Sequence, residues 1–169
     1  MFGTRRSLAF EVVFVMSLTL LATPLLQAQV ADSSQKLSKG FMDAGTQALA
    51  SIHSVKQRVL TIVENNLPTA SGNFDPQLGT AAYEKVRQAQ IAATTSGDQQ
   101  SATLLGNYFK QVKAWADKYK EARQSMDATN TMNRSDITQD PQLQMLDACE
   151  KGLNSMLISG TYSSVDSCQ

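Results

Sequence analysis

Three side chains in this 169-residue sequence have the types most often used as thiol nucleophiles, soft-metal ligands or neutral-pH bases: Cys149, Cys168 and His53. A dithiol redox centre would need a Cys-x-x-Cys pair at a helix start, where the dipole favours the thiolate. These two cysteines are too far apart for that. A zinc site would need a His/Cys cluster, and His53 is the only histidine. The remaining chemistry is a disulfide between Cys149 and Cys168. It would close about 20 residues and contribute on the order of 3 kcal/mol in the chain-entropy account. The sequence therefore reads as a C-terminal tail clamped by a sulfur bridge.

His53 as a general base would need a placed nucleophile. The chain has many serines but no Gly-x-Ser-x-Gly elbow, and His53 falls on the boundary of an apolar helical stripe. It is read as a surface or boundary histidine. Seven acids, Asp43, Glu64, Glu84, Asp117, Glu121, Asp147 and Glu150, could meet across helices. A di-metal bundle would require Glu-x-x-His motifs, and none is present. Helix caps and solvated faces account for the acids. No phosphate-cradling glycine loop, haem-attachment motif or calcium loop is present either. We therefore assign no catalytic, cofactor-binding or metal-binding residue, and read the chain as a non-enzyme.

The richest local patch is NYFKQVKAWADKYKEAR, Asn107–Arg123. An aromatic and basic helix of this kind can bind an anionic surface, lipid or nucleic acid. The same spacing also buries Phe109, Trp115 and Tyr119 in a core, with Asp117 and Glu121 diluting the basic face. Burial of three aromatics is worth several kcal/mol, far above the tenths expected from exposed ion pairs. Trp115 is accordingly read as a fold anchor. Asn133–Ser135 matches an N-glycosylation acceptor, relevant only in a glycosylating host.

The N-terminus has the form of a secretory signal. Arg5 and Arg6 precede a run from Val12 to Leu26 with no charge, followed by small residues. That run is shorter than the roughly 20 residues of a membrane-spanning helix, and Pro24 interrupts it. The expected cleavage residue is Ala28, with Ala31 as the alternative, and Thr4–Phe10 also resembles a twin-arginine export signal. The expected organisation is thus a signal peptide over 1–28 and one domain over 29–169, exported to the periplasm or secreted. The membrane is touched only through the transient signal. Losing Arg5, Arg6 and Glu11 leaves a net charge of about −1, so nothing draws the whole domain to nucleic acid.

Four amphipathic stretches must carry these residues. The first is expected to begin near Asp32–Ser34, any of which can cap a helix. Its stripe is Leu37, Phe41, Ala44, Ala48, Ile52, Val55, Val59 and Ile62, with Met42, Leu49 and Leu60 along one edge and glycines at 40 and 45. The second starts at the Asp75–Pro76 cap and carries a thin, small stripe of Leu78, Ala82, Val86, Ala89 and Ala93, ending in a break at Thr94–Asp98. The third, Gln99–Ala128, aligns Leu105, Phe109, Val112, Trp115, Ala116, Tyr119 and Met126, with Lys113 and Asp117 spaced to pair. The fourth repeats the Asp-Pro start at Asp140, aligns Leu143, Leu146, Leu153, Met156 and Leu157, and stops at Gly160.

The fold class is all-α: an antiparallel up-down bundle of four helices with a disulfide-tethered tail. The leading functional expectation is an exported protein acting on a protein partner or on itself. The alternative is a carrier of a lipid or other apolar ligand between the helices. Space for it would come from the small stripe of the second helix and from methionines such as Met42, Met126 and Met156.

Overall fold

The computed structural model describes residues 35–65, 76–124 and 137–169. The expected signal segment, the caps at Asp32–Ser34 and Asp75, Met126 and the Asn133–Ser135 motif all lie outside these residues.

Helix α1 spans Lys39–Glu64 and is capped by Ser38, whose Oγ accepts from Phe41 N at 3.2 Å. The helix therefore starts later than expected. Gln35–Leu37 serve a tertiary purpose instead. Leu37 N donates to Gly160 O and Tyr162 N to Gln35 O, both at 2.8 Å, around an isolated antiparallel bridge between Lys36 and Thr161. Backbone groups committed to that pairing cannot also enter a helical ladder.

Helix α2 spans Pro76–Ser96 and α3 spans Gln99–Gln124. The break between them is shorter than the sequence suggests, since Thr94–Ser96 remain helical. Gly97, at φ 86°, makes the left-handed turn that a β-carbon would oppose. Helix α4 spans Pro141–Ser159. Asp140 Oδ1 accepts from Gln142 N, and Gly160, at φ 65°, closes the helix by donating its N–H to Met156 O. Both ends of α4 follow from local chemistry: an acceptor for an orphan N–H, proline where no N–H is needed, and glycine in the left-handed cap.

Helices α1 and α3 each pack on all the other helices, whereas α2 and α4 lie to either side of that central pair. Cross-helix contacts set directions. Rising numbers on α1 meet falling numbers on α4, from Gly45–Leu157 to Lys56–Asp147. The same holds for α3 against α4, from Tyr108–Glu150 to Tyr119–Asp140. These pairs therefore run in opposite directions. The close approach at Gly45 is needed: a β-carbon there would sit 2.9 Å from Leu157 Cδ2.

Trp115, Tyr108, Phe41, Ile52 and Leu105 are the largest fully buried apolar side chains, each contributing about 1.5–3 kcal/mol by removal from water. Trp115 packs edge-on to Tyr119 at 5.3 Å between ring centroids, which bears out its reading as an anchor. Tyr108, absent from the expected stripe, is fully buried, while Phe109 is only partly so.

The tail returns to the bundle. Cys149 and Cys168 form a disulfide with Cα atoms 5.0 Å apart, and both are fully buried. A short 3₁₀ turn at Asp166–Cys168 brings the second cysteine in. Gly152 leaves the hollow that Val165 fills, since a β-carbon there would overlap Val165 Cγ1.

Candidate functional site

Two constellations bring together side chains able to do chemistry, on different faces of α1. The first is polar. Lys56 occupies the core register of α1, at the same spacing as Leu49, Ile52, Val59 and Val63, and is only 4% exposed. Its Nζ donates to Asp147 Oδ1 at 2.5 Å and to Glu150 Oε2. Tyr108 OH donates to the same Glu150 oxygen at 2.7 Å, and His53 Nδ1 meets Glu150 Oε1 at 2.6 Å. A carboxylate can only accept, so Nδ1 carries the proton in that contact.

Burial alone would raise the Glu150 carboxyl. Hydrogen bonds from Lys56, Tyr108 and His53, with the Lys56 charge, more than offset it and hold the group below the usual carboxylate range. Tyr108 is pushed well above the ordinary phenol range, first by burial and then by Glu150, so it stays a neutral donor. The five groups thus satisfy one another. A base, an acid and a cation are present, but none of the five lines the apolar cleft described below. The cluster links α1, α3 and α4 through these contacts.

This arrangement revises the reading of the acids. Asp147 and Glu150 share one helix, α4, and converge on Lys56 of α1, a lysine that the sequence reading passed over. His53 is a boundary residue, 46% exposed at its side chain. A lysine at a core position, facing acids spaced i and i+3, was the available signal.

Asp98 and Asp140 behave similarly at the helix starts. Asp98 Oδ2 accepts from Ser38 N at 3.2 Å, Ser38 Oγ at 2.7 Å and Ser96 Oγ at 2.6 Å, tying the entrance of α1 to the α2–α3 turn. Burial works against its charge, but these bonds prevail and its carboxyl is held low. Asp140 Oδ2 accepts from Tyr119 OH at 2.9 Å and from Lys118 Nζ at 3.4 Å. With Gln142 N on its other oxygen, its carboxyl is also held low against the effect of burial.

The second constellation is a cleft of about 740 Å³ among α1, α2 and α3, within the range of roughly 300–1,000 Å³ typical of small-molecule sites. Val55, Leu78, Tyr83, Val86, Phe109 and Ala116 supply its apolar lining. Tyr83 and Phe109 face each other across α2 and α3 at 6.3 Å between centroids. Small residues leave the space: Gly79 has nothing within 4 Å of where a β-carbon would stand, while at Gly106 Gln90 Nε2 is 3.0 Å away and narrows the cleft.

Met42 and Met156 do not create this room. Met42 packs against the core, Met156 is 1% exposed within it, and neither lines the cleft. The Asn107–Arg123 patch serves two purposes. Trp115 and Tyr119 are core, whereas Phe109, Lys110, Lys113 and Lys120 border the cleft. Lys113 pairs with Asp117 at 2.5 Å, as its spacing indicated.

Among the described residues, no group of three or more His, Cys, Asp or Glu side chains is placed to hold a metal ion, and no helix is long and apolar enough to cross a membrane. No protein-family model matches the chain, and neither a curated protein nor a solved structure is significantly similar to it.

Proposed function

We propose that this protein is an exported, non-enzymatic binder that carries an apolar small molecule between its helices. The observation behind this reading is the cleft of about 740 Å³ with its aromatic and aliphatic lining. A well-formed apolar cavity is where a domain with no placed catalytic set would hold a ligand. The export half of the proposal is supported by the basic and apolar N-terminal pattern over 1–28 and by the buried disulfide, since disulfides persist in oxidising, non-cytoplasmic compartments.

Docking to a protein partner or to a second copy has less behind it. The large exposed apolar residues of α4, Met145 and Ile158, stand about 140° apart around that helix, so they do not build one face.

Native mass spectrometry of protein purified without detergent from a host that exports it tests the proposal. The expected result is an added mass of an apolar small molecule. Tyr83→Asp, which charges the cleft wall at a position 54% exposed, should reduce that mass while leaving the circular dichroism unchanged. The bare polypeptide mass in both proteins, with no uptake of decanol or decanoate by titration calorimetry, would refute the carrier reading.

A further inference from the structure

We infer that the ligand of the cleft is a single-chain amphipathic anion, an alkyl carboxylate, whose head is drawn to the cationic edge that Arg58, Lys110 and Lys120 form; this rests on the carrier reading above. Among the described residues the lining contains four cations, Arg58, Lys110, Lys113 and Lys120, and one acid, Asp117. Lys113 and Asp117 neutralise each other at 2.5 Å. Arg58, Lys110 and Lys120 make no ion pair among the described residues. Among the described residues, three positive charges without an ion-pair partner therefore border one apolar cleft, in a chain whose formal net charge is zero.

The placement is directional. On α3, Lys110, Lys113, Asp117 and Lys120 fall within about 80° of one another around the axis, while Phe109 and Ala116 lie further round, towards the cleft floor. From Lys110 to Lys120 the charged edge runs about 15 Å along the helix. Arg58 supplies a cation from α1. A ligand with an apolar body and one anionic end satisfies both parts: the body covers Tyr83 and Phe109, and the head meets the cationic edge. A neutral apolar ligand would leave that edge unused, and a cationic amphiphile would be repelled by it. A carboxylate bound in this way needs no bond made or broken.

Calorimetric titration of the full disulfide-bonded chain with decanoate, 1-decanol and decyltrimethylammonium separates these cases, since the three differ mainly at the head. Decanoate should bind at least about tenfold more tightly than decanol. That preference should shrink as salt rises, because exposed charges are screened. The triple variant Arg58→Gln, Lys110→Gln, Lys120→Gln should lose the preference for decanoate over decanol. Arg58 and Lys110 are exposed, and circular dichroism will establish that the variant keeps its helices. Should that variant be unfolded, the single variants Arg58→Gln and Lys110→Gln should each still lower the decanoate-to-decanol ratio. Equal affinities for decanoate and decanol, or an undiminished preference in the variants, would overturn this inference and leave an apolar carrier. Failure of every probe to bind would overturn the carrier reading as well.

Discussion

Replacing Lys56 by methionine removes a cation whose side chain is 5% exposed while keeping most of its apolar stem. What remains decides the cost. Asp147 is 60% exposed at its side chain and can be rehydrated, so its contact contributes only tenths of a kcal/mol. Glu150 is 20% exposed and would be left charged against Tyr108 and His53 without its cation. Breaking a fully buried pair by removing one partner costs about 3–5 kcal/mol. With the remaining exposure and two surviving donors, we expect about 2–3 kcal/mol at pH 7, or a fall in Tm of roughly 10 °C.

The sign of the pH dependence is diagnostic. In the parent, the Glu150 carboxyl is held below its unfolded value. Its contribution is therefore present above the unfolded pKa and lost as pH falls through the folded one. In Lys56→Met, burial without the cation raises that carboxyl, so protonation relieves the penalty and the gap between the two proteins narrows on acidification. Adding Glu150→Gln to Lys56→Met should recover at least about 1 kcal/mol at pH 7, because no buried charge is then left unpaired. Urea denaturation followed at 222 nm, at pH 7 and pH 4, reads the parent, Lys56→Met, Glu150→Gln and the double variant. A gap that is independent of pH, together with strictly additive single and double substitutions, would refute the assignment of the cost to a stranded Glu150.

Reduction of the Cys149–Cys168 bond, or its replacement by alanines, should lower the unfolding free energy by about 3 kcal/mol while helix content persists; denaturation with and without dithiothreitol checks this, and a change below about 1 kcal/mol would contradict it. Gly152→Val should release the tail, because even a β-carbon would overlap Val165. The expected cost is about 1–3 kcal/mol, with hydrogen exchange rising over residues 161–169. Asp98→Ala strands the Ser38 N–H and hydroxyl at the α1 entrance, while Ser96 Oγ keeps Ala92 O as its acceptor, and should cost about 2 kcal/mol by thermal denaturation. Asp98, Asp140 and Glu150 are all held low. Parent stability should therefore be level above about pH 5 and fall as these carboxylates protonate below roughly pH 4, which a pH series of urea midpoints will measure.

Much of the fold was legible in the order of residues, because the signals involved are local. The Asp140–Pro141 start and the Gly160 stop of α4 depend on neighbouring backbone groups, and the structure places both as read. The buried alanines of α2 and the buried Trp115 and Tyr119 of α3 follow from a spacing of three or four. The disulfide follows from there being two cysteines in a chain with an export-like start. The beginning of α1 was misplaced because Gln35–Leu37 are engaged by Gly160 and Tyr162, more than a hundred positions away, and no local window contains that contact.

The two constellations needed the packed molecule. Lys56 meets Asp147 and Glu150 across sequence separations of 91 and 94, and its place on the core register is tolerable only because α4 presents acids at that height. Taken alone, a lysine at such a spacing suggests a helix edge. The cleft likewise has no signature in any one helix: it opens where Gly79 leaves side-chain volume empty on α2, facing α3 and Val55 of α1. Periodicity and capping are properties of one chain segment and its own hydrogen bonds. Charge compensation and empty volume are properties of surfaces brought together, and they exist only once the helices have packed.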